Sequence, residues 1–97
     1  MALTVVVKLE PLAGMHDKLA TLMLNVARAV KSEEDGCVDF IVHDEIDGAK
    51  VVLIEQYTDR EAFETHLNTD RMKTALPQIQ AMLAEPLDVT LVTERSG

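Results

Sequence analysis

Glu55, Tyr57 and His66 are residues whose types and spacing suit proton-transfer chemistry. Glu55 and Tyr57 stand two apart in the run Lys50 to Thr58, which reads as a strand, so their side chains share one face. Ala62, Phe63, His66 and Leu67 fall at i, i+1, i+4 and i+5 of a short helix, and that face must be the buried one because Glu61 and Glu64 lie elsewhere. The chain has one Tyr, two Phe and no Trp. If Phe40 and Tyr57 line the helix side of the sheet, Phe40, Tyr57 and Phe63 converge near Glu55 and His66. An apolar pocket holding a carboxylate, an imidazole and a phenol is the usual make-up of a small-molecule site. An imidazole titrates near neutrality, which makes His66 the first choice as general base. Glu55 would orient His66, or act as base itself with a pKa raised by burial against Phe40. Tyr57 would hydrogen-bond a substrate oxygen, Phe40 and Phe63 would contact the substrate, and Arg71 would stabilise an anion at the pocket mouth. The same residues also fit a small aromatic core in which His66 bonds a backbone carbonyl.

Positioning these groups falls to elements the sequence marks in order. Leu3 to Leu9 is rich in β-branched residues and reads as a strand, ended by Pro11 and Gly14. Leu19, Leu22, Met23, Val26 and Val30 form one stripe of a helix from about Met15 to Ser32. Cys37 to Glu45 and Lys50 to Thr58 read as paired strands around Asp47-Gly48, a dipeptide suited to the two positive φ values of a type I′ turn. Asp59 is an N-cap for a helix through Leu67, and Thr69 or Asp70 caps a helical segment towards Leu83 that Pro77 should kink or restart. After Glu85-Pro86, Leu87 to Thr93 is a last strand. The order β-α-β-β-α-β is a split βαβ, ferredoxin-like α+β arrangement with a four-stranded antiparallel sheet. Residues 1–97 form one domain, since domains typically run to about 100–150 residues.

A turn at Asp47-Gly48 makes cross-strand partners sum to 95. Phe40 then faces Glu55, Val42 faces Leu53 and Val38 faces Tyr57 on one side of the sheet. Ile41 faces Ile54, His43 faces Val52 and Cys37 faces Thr58 on the other. Both sides carry large aliphatic residues, whereas a sheet with one solvated face alternates cleanly. Helices cover only one side, so the second apolar side is expected to meet a second copy of the chain in a homodimer.

Composition narrows the partners. Nine basic against 17 acidic residues give a net charge of −8, which argues against nucleic acid and anionic membrane surfaces. Met1 to Leu9 has no basic region of the kind that opens a signal peptide, and a single Cys excludes an intrachain disulfide, so a cytoplasmic protein is expected. His16, His43 and His66 sit on different elements, and no metal site is expected. Cys37 reads as a small buried apolar residue rather than a nucleophile.

The runs Glu34-x-Gly36-Cys37-x-x-Phe40, Ile54-Glu55-x-Tyr57-x-Asp59-x-x-Ala62 and His66-x-x-Thr69 resemble, in order, those of the antibiotic biosynthesis monooxygenase (ABM) family of dimeric α/β-barrel proteins. The resemblance implies a ferredoxin-like protomer, a dimer formed through the sheets and a pocket between sheet and helices. Characterised members oxidise quinol-like aromatics with dioxygen, using neither metal nor flavin. Others degrade haem, and one relative isomerises a phosphorylated sugar. Arg71 replaces the second His of the family's H-x-x-S/T-x-H pattern, and Tyr57 stands where Trp is common. The haem-degrading branch is disfavoured, because strand one has no Asn, the chain has no Trp, and Leu76 occupies the ligand position. The expected function is therefore cofactor-independent oxidation of a small polyhydroxylated aromatic, which supplies the electron to dioxygen once deprotonated. The alternatives are a binding module or an isomerase of an enolisable sugar phosphate. An isomerase would need a cation for phosphate, with Lys8 and Arg71 as candidates.

Overall fold

The structure, a computed structural model, describes residues 2–96. Met1, where the reading of the N-terminus begins, and Gly97 lie outside them. The elements are β1 (Leu3–Leu9), α1 (His16–Glu33), β2 (Cys37–Asp44), β3 (Val51–Tyr57), α2 (Arg60–Leu67), α3 (Asp70–Ala81) and β4 (Asp88–Val92). All strand pairs are antiparallel, in the spatial order β2-β3-β1-β4, which is the ferredoxin-like arrangement. The expected stripe of α1 supplies Leu19, Met23, Val26 and Val30 to the core, joined by Ala27. They pack on the inner sheet face, where Val5, Val7, Leu9, Phe40, Val51, Leu53 and Tyr57 are buried.

The second helical region is two elements, as the two expected caps suggest, so the full order is β-α-β-β-α-α-β. α2 is capped by Asp59, whose side chain accepts a 2.8 Å bond from the Ala62 N–H. α3 is capped by Thr69, which accepts from the Met72 N–H at 3.2 Å. Asp and Thr are favoured at this position because they satisfy an otherwise unpaired helix donor. α3 runs through Pro77 without the restart the sequence suggests. Proline removes only the bond from its own position to the Lys73 carbonyl, and both residues are exposed, where an unpaired carbonyl is not shut away from solvent.

The expected hairpin register holds from Asp39↔Gln56 to Asp44↔Val51. The turn itself differs, because Asp47 has positive φ (63°) and Gly48 does not, so it is not type I′. A bulge at the start of β2 also shifts the pairing, so that Cys37 stands opposite Tyr57. Cys37 therefore packs against the core on the helix side, while Val38 is 61% exposed. The expected Val38–Tyr57 and Cys37–Thr58 pairs do not form, because the inserted residue of a bulge flips the face of everything before it.

The outer sheet face carries Val6, Val52 and Ile54 beside the exposed Ile41 and Val92. Lys8 is on this face too, opposite Val52 and Asp88, and not inward as the isomerase alternative would need. No helix among the described residues is long and apolar enough to cross a membrane.

Candidate functional site

Between the inner sheet face and the α2–α3 region lies a cavity of about 80 Å³. Its walls are apolar, from Val5, Val7 and Leu53 on the sheet to Met72 and Ile79 on α3. Phe40 and Phe63 also line it, and two ionisable groups reach it, Glu55 and His66. An apolar cavity of about 150 Å³ holds one benzene ring. A ring therefore fits here only with part of it in the mouth, or with Met23 and Met72 repacking, which unbranched thioethers do readily. Leu67 and Leu76 at this opening are half exposed.

Glu55 is placed by strand alternation. It follows Val51 and Leu53 on the inner face, opposite Phe40 on β2 and Val5 on β1, and is 4% exposed. A buried carboxylate must be partnered or protonated. The Tyr57 hydroxyl, two residues along the same face, donates a 2.6 Å bond to its Oε1. Burial pushes the Glu55 pKa up from 4.5 to about 7, the Tyr57 bond pulls it down, and the Glu34 carboxylate adds to the rise. Glu55 can therefore gain or lose a proton near neutral pH. Burial, with the Glu55 charge beside it, pushes the Tyr57 phenol up, so Tyr57 stays a donor.

His66 is buried near the end of α2 and packs its ring against Phe40, Tyr57 and Phe63, with ring centroids 6.2, 5.4 and 6.3 Å away. Its backbone carbonyl accepts a bond from the Thr69 hydroxyl, so the cap of α3 also fixes the end of α2. Among the described residues its side chain meets a carboxylate and no backbone carbonyl, unlike the alternative open from the sequence. Its Nδ1 is 2.8 Å from Glu34 Oε1 and its Nε2 is 3.9 Å from Glu55 Oε1.

The structure thus brings Glu55, His66, Phe40 and Phe63 to one cavity. Tyr57 is fully buried behind it, with its hydroxyl on Glu55. Arg71 does not line the cavity. It is held by Glu33 and by Glu34, whose Oε2 accepts from Nη1 at 3.1 Å. Glu34 has no role in the sequence-based expectation, although it opens the Glu34-x-Gly36-Cys37 run. The glycine in that run explains the approach of α2, since a Cβ on Gly36 would stand 2.5 Å from the Ala62 Cβ. The closeness of α2 in turn brings His66 to Glu34. Burial pushes the Cys37 thiol up to about 11, with Glu34, Glu55 and Asp39 adding to the rise, so it is a poor nucleophile. The other two histidines are remote in role: His16 pairs with Asp44 and Asp17, and His43 meets the Val52 carbonyl.

A family model described as antibiotic biosynthesis monooxygenase matches residues 2–78. Rv0793 of Mycobacterium tuberculosis is 30% identical over 59 residues, which are 61% of this chain and 58% of that protein. The aligned stretch therefore spans little more than half of that relative's length. The solved structure of Rv0793 superposes with a TM-score of 0.92 at 23% identity, covering 100% of this chain and 98% of that one. SnoaB, a cofactor-independent oxygenase from Streptomyces nogalater, superposes at 0.86 with 21% identity, covering 99% and 95%. At these identities the superpositions show a shared fold.

Proposed function

Because this chain belongs to the antibiotic biosynthesis monooxygenase family, we propose that it is a cofactor-independent monooxygenase acting with dioxygen on a small, quinol-like polyhydroxylated aromatic. The observation that carries this reading is an otherwise apolar cavity with Glu55 and His66 as its ionisable groups. Such a cavity receives an aromatic ring and presents a proton acceptor to one ring hydroxyl. His66 Nε2 takes the hydroxyl proton, with Glu55 as the second acceptor beside it. Phe40 and Phe63 flank the ring, and Tyr57 fixes the Glu55 carboxyl rather than touching substrate. The electron-rich phenolate then reduces dioxygen directly. One oxygen atom bonds to a ring carbon, which loses its hydrogen. The other leaves with that hydrogen and the hydroxyl proton as water, and the ring becomes a quinone.

A sugar-phosphate isomerase has less support. Arg71 is engaged by Glu33 and Glu34, Lys8 is on the outer face, and among the described residues no cation lines the cavity. The apolar outer face, with Val6, Ile41, Ile54 and Val92, supports the further proposal that the working form is a homodimer joined through the sheets.

Oxygen uptake and quinone release, measured with a panel of quinols in metal-free buffer, test the reaction. Uptake that collapses in His66→Ala is the expected result. Equal uptake by wild type and His66→Ala removes His66 from the mechanism. A tight complex with no turnover makes the chain a binding module.

A further inference from the structure

Glu34 faces the side of His66 turned away from the cavity, and its bonding constrains the imidazole more than any group inside the cavity does. Its Oε1 lies 2.8 Å from His66 Nδ1, within hydrogen-bond range. Its Oε2 accepts from Arg71 Nη1 at 3.1 Å, and a guanidinium only donates. Arg71 also contacts Glu33, so the guanidinium is held from two sides. The Glu34 side chain is 13% exposed and that of His66 2% exposed, so water competes little for either bond. A neutral imidazole has one N–H and one bare nitrogen, and its partners decide which is which. A carboxylate held by an arginine is an acceptor, so the proton belongs on Nδ1. At 3.9 Å from Glu55 Oε1, Nε2 has no hydrogen bond to that oxygen.

We propose that Glu34 is the positioning residue of this site: clamped by Arg71, it holds His66 as the Nδ1–H tautomer and keeps the Nε2 lone pair turned to the cavity. When Nε2 takes a proton, the imidazolium is formed next to a carboxylate already in place, with no side chain left to reorganise. Arg71 then serves the site through Glu34 and not through substrate. The kinetic consequence rests on the monooxygenase reading, but the tautomer is a property of the resting protein and needs no substrate.

The test is long-range proton–nitrogen correlation NMR of the full-length, nitrogen-15-labelled chain at pH 7.5, with His66 assigned by elimination using His16→Asn and His43→Asn. The expected wild-type pattern is Nδ1–H with a bare Nε2. In Glu34→Gln the side-chain amide can donate as well as accept, so the pattern becomes mixed. Quinol turnover in that variant falls at least tenfold in kcat, with KM nearly unchanged. A wild-type ring that is Nε2–H or doubly protonated overturns the proposal, and so does a tautomer unmoved in a folded Glu34→Gln. If Glu34→Gln does not fold, the wild-type spectrum decides alone. A wild type with the expected tautomer but no oxygen uptake with any quinol counts against the monooxygenase reading and leaves the positioning role standing.

Discussion

The Tyr57 hydroxyl donates a 2.6 Å hydrogen bond to Glu55 Oε1, between two residues of one strand that share its inner face. This bond opposes the effect of burial on Glu55. In Tyr57→Phe that restraint is gone, so the Glu55 pKa should rise above its value of about 7. Carbon-13 titration of the Glu55 carboxyl would measure the rise, and an unchanged value would show that the bond does not form in solution.

Glu55 also predicts a stability profile. Its folded pKa of about 7 lies above the ordinary 4.5, so the native state holds the extra proton between those values. Stability is then highest below pH 4.5 for this group and falls as pH rises through 7, by roughly 3 kcal/mol in all. Urea melts across that window should show the fall in wild type and a flatter profile in Glu55→Gln.

The same substitution separates support of the fold from chemistry. Glu55→Gln keeps shape and an acceptor for Tyr57 while removing the titrating group. If Glu55 takes part in proton transfer, the folded variant loses turnover by ~10²-fold or more, the scale of general acid–base catalysis. Near-normal turnover would confine Glu55 to the fold.

Leu76 stands at the cavity mouth and is 39% exposed. Leu76→Ala should cost only about 1 kcal/mol, below the range for a core leucine. It should also shift preference from one-ring towards two-ring substrates. Competition between two such quinols, read as the ratio of kcat/KM values, checks the shift.

Ile54 and Ile41 are cross-strand neighbours on the outer face. Ile54→Lys places a charge at the proposed dimer junction and should dissociate it, which light scattering would detect as halved mass. A wild type that is monomeric at micromolar concentration would dispose of the junction itself.

Much of this arrangement was legible in the amino-acid sequence because it depends on local rules. Strand alternation places Glu55 and Tyr57 together, helical spacing turns Phe63 and His66 inward, and Asp59 and Thr69 act as caps. The Val38 bulge was not legible, since Gly36 just before it reads equally well as the turn that ends the first helix. That α3 continues through Pro77 without a restart was not legible for a related reason: the effect of a proline depends on which side of the helix it occupies, and packing decides that. Glu34 was hidden because its partners are remote, His66 32 residues away and Arg71 37. As part of Glu33-Glu34-Asp35 it looks like a solvated helix end. Arg71 was read as a free cation for the same reason.

Those separations bear on the order in which the protein assembles. A contact spanning more than 30 residues is closed only after the entropy of a long loop has been lost, so such contacts tend to come late. The Glu34–Arg71 clamp joins the C-terminal end of α1 to the N-terminal end of α3, with β2, β3 and α2 between them along the chain. Removing a clamp of this kind is expected to speed unfolding while leaving the folding rate almost unchanged. In a refolding chain the environment of His66 would therefore mature last, and recovery of activity would lag recovery of secondary structure.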